Sequence, residues 1–168
     1  IHVSVDGDDN NIGTRTFPMQ SIPNAIVRSI LSNYQILKIN DSTFTPGNGV
    51  LNDPVAGIYI SNDNFTLSGG WSSDFSVQNS LTTFNMQYLQ RSLYIINVSN
   101  FTFEKILFLK NSSVNPGGVV DIESSQLINF VSCQFISNTS TTTRGGAIHA
   151  ENSDINLYRN LFEYNFST

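Results

Sequence analysis

Apolar and polar residues alternate in short runs through the second half of the chain, and the runs return at a fixed interval. Leu93-Tyr94-Ile95, Val120-Asp121-Ile122 and Ile148-His149-Ala150 make one set. Phe101-Thr102-Phe103, Ile128-Asn129-Phe130 and Ile155-Asn156-Leu157 make a second. A period of two marks a strand with one buried face, and the β-branched and aromatic content of these runs agrees. Each coil then carries an FxxN segment. Phe108-Leu109-Lys110-Asn111, Phe135-Ile136-Ser137-Asn138 and Phe162-Glu163-Tyr164-Asn165 lie 27 residues apart. Gly117-Gly118-Val119-Val120 and Gly145-Gly146-Ala147-Ile148 recur at nearly the same interval. Self-similarity of this length means a stacked repeat, and the strand period excludes the helical arrays of similar size. The predicted fold is all-β, a right-handed parallel β-helix in which one repeat is one coil.

The register predicts which side chains touch. Leu93, Val120 and Ile148 should stack, as should Ile95, Ile122 and Ala150, because neighbouring strands lie about 4.8 Å apart. The same holds for Phe101, Ile128 and Ile155, for Phe103, Phe130 and Leu157, and for Phe108, Phe135 and Phe162. One extra residue near Gln126 absorbs the shift between spacings of 27 and 28. Cys133 falls in the file of Ile106 and Asn160 and reads as a small buried apolar residue. Asn111, Asn138 and Asn165 are expected to form a ladder of amides, at a turn whose left-handed backbone Asn tolerates.

The first half is less regular. Residues 18–32 predict an amphipathic helix with Ser21 as N-cap, Pro23 in the first turn, and Ile22, Ala25, Ile26, Ile30 and Leu31 on one face. Such a helix would cover the apolar end and unpaired edges of the first coil. Strands are expected at 34–39, 56–61, 65–67, 82–86 and 93–98. Ser68-Gly69-Gly70-Trp71 reads as a glycine turn, with Trp71 packed at a hinge between early coils rather than offered to a sugar. Asp6, Asp8 and Asp9 carry the oxygen type that calcium takes, but without the distal acid of a full loop; they read as turn and cap residues. The chain is one domain: a cap over 1–33, irregular coils over 34–92 and regular coils over 93–168.

Composition narrows the function. Charged residues make up only 12% of 168 positions and the net charge is −5, so a phosphate backbone would be repelled and no nucleic-acid partner is expected. No apolar run is long enough to span a membrane. The single cysteine excludes an internal disulfide framework. Seven N-x-[ST] sequons occur, at Asn40, Asn64, Asn97, Asn100, Asn111, Asn138 and Asn165. A ladder amide cannot also carry a glycan, so sugars are expected at Asn40, Asn64 and one of Asn97 or Asn100 rather than at Asn111, Asn138 or Asn165. With the chain starting at Ile1, the sequons favour a secreted, extracellular or cell-surface protein.

The opening HVSVDGDDNNIGTRTFPMQSIPNAI resembles the start of secreted pectin-lyase-like β-helix proteins. Phe65-Thr66-Leu67-Ser68-Gly69-Gly70-Trp71 is similar to a segment of the same group, and the GGAI and FxxN repeats resemble those of polymorphic outer-membrane protein adhesins. The resemblance implies a surface β-helix used for adhesion or assembly. Only two GG motifs recur in the repeat, and no terminal barrel is present in this sequence. The chain stops at a coil end, where continuation of the same chain or another protein subunit is the expected partner, with surface glycans as further partners.

The candidate chemistry comes from the repeat. If Val120, Ile122, Ile148 and Ala150 face inward, Asp121, Glu123, His149 and Glu151 face outward on two adjacent coils. Such carboxylates could share a proton, hold a divalent cation with His149, or act as a glycosidase pair. No Arg or Lys recurs at matching positions, and outward strand residues are ordinarily polar. The expectation is a non-enzymatic structural or adhesive protein without metal or cofactor; the alternative is a polysaccharide lyase or glycosidase using this acidic face.

Overall fold

The computed structural model describes residues 1–48, 58–89, 91–141 and 144–168. After β1 (His2–Val3) and the helix α1 (Ile22–Leu31), the chain forms β2 (Ile36–Asn40), β3 (Thr43–Phe44), β4 (Ile58–Ile60), β5 (Phe65–Trp71) and β6 (Thr82–Asn85). Three like coils follow. The first is β7 (Leu93–Ile96), β8 (Ser99–Glu104), β9 (Ile106–Leu109) and β10 (Ser112–Ser113). The second is β11 (Val120–Glu123), β12 (Gln126–Val131), β13 (Gln134–Ile136) and β14 (Thr139–Ser140). The third is β15 (Ile148–Glu151), β16 (Ile155–Tyr158), β17 (Leu161–Glu163) and β18 (Phe166–Ser167). Corresponding strands pair in parallel into sheets ordered β1-β2-β5-β8-β12-β16, β17-β13-β9-β6-β3, β15-β11-β7-β4 and β10-β14-β18. The protein is a parallel β-solenoid of about four turns.

The expected files are the observed ones. Val120 pairs with Leu93 and Ile148, Ile128 with Phe101 and Ile155, and Phe135 with Phe108 and Phe162. The phenylalanine file extends back to Phe84 and Phe44, and Phe135 stacks on Phe108 and Phe162 at centroid distances of 5.1 and 4.6 Å. Phe44, Phe84, Phe108 and Phe135 are fully buried. Cys133 is fully buried too, and burial pushes its thiol up to about 12. The spacing is absorbed near Gln126, where Gln126 pairs with Ser99 and Leu127 has a φ of 53°.

Corners carry the left-handed backbone that lets strands turn between sheets. Lys105, Ser132 and Arg159 occupy one corner at φ 52–55°, and Lys110, Ser137 and Tyr164 another at φ 53–55°. Non-glycine residues pay steric energy there, and Lys105, Ser132, Lys110 and Ser137 are each held by the neighbour one coil on. Lys110 N–H donates to the Ile136 carbonyl, and Ser137 N–H to that of Glu163. The left-handed residue is therefore the one before the ladder asparagine, not the asparagine itself.

Several sequence expectations shift in the first half. Ser68 to Trp71 do not break the chain: β5 runs through them, and the glycines mark an irregularity in register opposite Lys38 and Asn40. A Cβ on Gly69 would lie 2.5 Å from the Lys105 carbonyl, so only glycine lets the next coil approach. Trp71 donates its indole N–H to Ser68 Oγ, with Lys38 Nζ 3.7 Å from the ring centre. Of the strand expected at 56–61, Ala56 and Gly57 lie outside the described residues, and β4 covers the rest of its core.

In α1, Ile22, Ala25, Ile26 and Ser29 are buried, whereas Ile30 and Leu31 are exposed. The apolar face ends one turn early: among the described residues α1 packs mainly over β1 and β2. Nor does the Ser21 side chain cap the helix. Asp9 does so from outside: its carboxylate accepts the Ser21 N–H at 2.8 Å, the Ser21 hydroxyl at 2.7 Å and the Asn24 amide at 2.7 Å. Partial burial works to raise the Asp9 pKa, but these hydrogen bonds outweigh it and hold the carboxyl below its usual range.

Candidate functional site

The outer face of the four-stranded sheet gathers the candidate residues. Its inward positions are fixed by Leu93, Ile95, Val120 and Ile122, all fully buried, so the residues between them project outward. Parallel register then puts Tyr59, Tyr94, Asp121 and His149 in one file, and Ile96, Glu123 and Glu151 in the next. The sequence placed Asp121 beside His149 and Glu123 beside Glu151, and the register does the same.

What the sequence did not show is how these groups are occupied. Asp121 faces outward yet its side chain is only 5% exposed. Arg91 Nη1 donates to Asp121 Oδ2 at 3.0 Å and His149 Nδ1 lies 2.7 Å from Oδ1. Because a carboxylate only accepts, the imidazole donates from Nδ1, and Nε2 is left as its second nitrogen. The guanidinium of Arg91 also lies 4.8 Å from the ring centre of Tyr94 and reaches the Pro116 carbonyl. One buried carboxylate thus ties three coils together, through Arg91 before β7, Asp121 in β11 and His149 in β15.

The two glutamates are separately engaged. Burial raises the pKa of Tyr94, and a hydrogen bond to Glu123 with the charge of that carboxylate raises it further. Glu151 is 3.8 Å from Arg144 in an exposed pair. They stand in register on adjacent coils, each beside a different neighbour. Among the described residues, no group of three His, Cys, Asp or Glu side chains is placed to hold a metal ion.

The asparagines separate into two environments. Ser92 Oγ donates to Asn111 Oδ1. Asn111 Nδ2 donates to Asn138 Oδ1 and Asn138 Nδ2 to Asn165 Oδ1, both at 2.8 Å. Each ladder oxygen also takes the backbone N–H of the preceding coil, Asn111 N to Asn138 Oδ1 at 2.9 Å and Asn138 N to Asn165 Oδ1 at 3.1 Å. A second corner repeats the device with Ser125 and Ser153, and a third with Asn160, which caps the Cys133 N–H.

Among the positions expected to carry sugar, Asn64, Asn97 and Asn100 are exposed, with Asn100 Nδ2 donating to Asn64 Oδ1 at 3.0 Å. Asn40 must be corrected. It is 3% exposed, and its Nδ2 donates to Ser4 Oγ and Ser42 Oγ at 3.0 and 2.9 Å, so the atom that would bear a glycan points into the coil. A sequon does not report on which face of a strand it falls.

No family model matches the chain, and neither a curated protein nor a solved structure matches it. The class is defined by the coil itself: a parallel β-solenoid with, among the described residues, one short helix near its start, carrying on one outer face an Arg-Asp-His cluster beside two tyrosines.

Proposed function

We propose that the chain is a non-enzymatic extracellular β-helix, a surface, filament or coat component whose flat outer sheets serve adhesion or assembly. The observation that carries this reading is the state of Asp121. Its two oxygens are already taken by Arg91 and His149, and its side chain is almost fully buried. A general acid or nucleophile must itself reach substrate, and a carboxylate enclosed by a buried arginine and an imidazole does not. Glu123 and Glu151 face different neighbours, Tyr94 and Arg144. The resemblance of the N-terminal stretch to pectin-lyase-like proteins, and of the repeats to outer-membrane adhesins, supports the same surface role. The exposed sequons at Asn64, Asn97 and Asn100 agree with an extracellular location.

The test is a comparison of the native chain with a Glu123→Gln/Glu151→Gln double variant on polyuronate and neutral glycans. No turnover in either protein is expected, while beads coated with the native chain bind cell or matrix surfaces above an albumin control. Turnover by the native chain that the double variant loses would overturn the reading.

A further inference from the structure

We propose that the outer face of the five-stranded sheet β17-β13-β9-β6-β3 pairs with the same face of a second copy of this chain, about a two-fold axis running along β13. This goes beyond the surface role proposed above by naming an assembly partner and the face that meets it.

The face comes first. Ile106, Phe108 and Phe135 turn inward and are fully buried, so Leu107, Leu109, Gln134 and Ile136 turn outward and stay partly exposed. On β17 the outward residues are Leu161, 40% exposed, and Glu163. Register sets these side chains in two files, Leu107 with Gln134 and Leu161, and Leu109 with Ile136 and Glu163. Leu107, Leu109, Ile136 and Leu161 therefore make one apolar patch across three neighbouring strands on the outside of the coil. A contiguous patch of this kind marks a protein contact. The exposed sequons lie elsewhere: Asn64, Asn97 and Asn100 sit where β5 and β8 begin. Sugar there would stand a strand's length from β9 and leave the patch clear.

Charge identifies the occupant. Of the basic side chains from residue 91 onward, Arg91 and Arg144 pair with Asp121 and Glu151, Lys105 Nζ donates to the Gln78 carbonyl at 2.8 Å, and Arg159 lies against the Tyr158 ring. Among the described residues Lys110 has no side-chain partner, and neither has Glu163. Both are exposed. Lys110 follows Leu109 at one edge of the patch, and Glu163 stands two coils on, in the file of Leu109.

A face with an unpaired cation at one edge and an unpaired anion at the other complements itself when inverted. A two-fold axis parallel to the strands puts β9 opposite β17 of the second copy and β13 opposite β13. Leu107 then meets Leu161, and Ile136 meets Ile136. Glu163 lies over Leu109 with its carboxylate beside Lys110, once at each end. Lys105 and Arg159, on the far corner, are already held by Gln78 and Tyr158. An axis along the solenoid would instead set Gln134 against Ile136 and Leu161 against Glu163, so the pairing of like with like selects the first. Sheets of the same twist pack aligned at about 10 Å, close enough for these side chains to interdigitate.

Sedimentation velocity of the chain from about 1 μM to 1 mM tests this, and a concentration-dependent dimer is expected. Ile136 lies on the axis, so Ile136→Lys alters both sides at once and should weaken the dimer by about tenfold or more. Lys110→Glu and Glu163→Lys should each weaken it, and the two together should restore it. Because Lys110 and Glu163 are exposed, this exchange reads the interface even where Ile136→Lys lowers stability. Ile136→Cys should form a disulfide between copies under mild oxidation, whereas Asn156→Cys, exposed on the six-stranded sheet, should not. A chain monomeric over the whole range would overturn the proposal and leave the face to a different protein. A double exchange as weak as the single variants, or a cross-link at Asn156→Cys and none at Ile136→Cys, would overturn it too. Neither result touches the non-enzymatic reading, which stands or falls on turnover.

Discussion

Replacing Asn138 by alanine should unfold the solenoid far more readily than the same change one coil later at Asn165. Asn138 is fully buried and makes four side-chain hydrogen bonds. Its Oδ1 accepts the Asn111 N–H and Nδ2, and its Nδ2 donates to the Phe108 carbonyl and to Asn165 Oδ1. Truncation strands the buried Asn111 N–H, the Asn111 amide and the Phe108 carbonyl. An unsatisfied buried polar group costs about 1–3 kcal/mol, and water entering the small void recovers part of that. The expected loss is about 3–5 kcal/mol, a large share of the 5–15 kcal/mol typical of a domain. Asn165 also supports its neighbour, but it is only half-buried, so solvent can replace the lost bonds. Its truncation should cost about 1–2 kcal/mol. Urea unfolding followed by circular dichroism and by the fluorescence of Trp71 measures both. A loss at Asn138 below about 1 kcal/mol, or equal losses at the two positions, would refute the claim that the ladder is a buried, mutually satisfied array.

The remaining predictions test other parts of the stack. In chain secreted from a glycosylating host, glycopeptide mass spectrometry should find sugar among Asn64, Asn97 and Asn100, and none at Asn40, Asn111 or Asn138 in the folded fraction; high occupancy at Asn138 would contradict the buried amide. Phe135→Ala, which removes a fully buried ring from between two others, should cost about 3–5 kcal/mol in the same urea assay. Arg91→Ala should cost a similar amount, about 3–5 kcal/mol, because it leaves the Asp121 carboxylate buried without its cation. Asp9 has a folded pKa below its unfolded one, so its support of α1 is present above the ordinary aspartate range and fades as pH falls through the folded value. Asp9→Asn should therefore flatten the acid side of a thermal-melting profile below about pH 4, and an unchanged profile would discount the cap.

How much of this was legible in the residues depended on whether a contact repeats. The files at Leu93, Phe101 and Phe108 each recur one coil on, and a period of 27 is visible without coordinates. The helix was legible from its apolar spacing, but not its extent, because Ile30 and Leu31 fit the stripe and yet stand exposed. Glycine is ambiguous in the same way. Gly69 and Gly70 look like a turn because turns need them, but here close approach by Lys105 and Thr82 and one positive φ demand them inside a strand. The cap at Asp9 was hidden because its partner lies 12 residues away, beyond any local capping motif.

The site shows the same limit in its sharpest form. Asp121, Glu123, His149 and Glu151 were found because they sit in register, and register is what the repeat encodes. Arg91 belongs to no repeat. It precedes β7, reaches across to the next coil, and meets Asp121 at 3.0 Å over a sequence separation of 30. Without it, the four outward residues look like a free acidic face suited to acid–base work. With it, one carboxylate is buried and neutralised, one imidazole is oriented, and one tyrosine is clamped beside a second. A single off-register arginine therefore decides how the groups of this face are paired. Arg91→Met tests that step directly: it keeps much of the packing against Tyr94 but removes the charge. The rigidity of Tyr94 should then fall, read as faster ring flipping by NMR. An Arg91→Met protein whose Tyr94 ring flips as slowly as in the native chain would show that this ring does not depend on the buried pair.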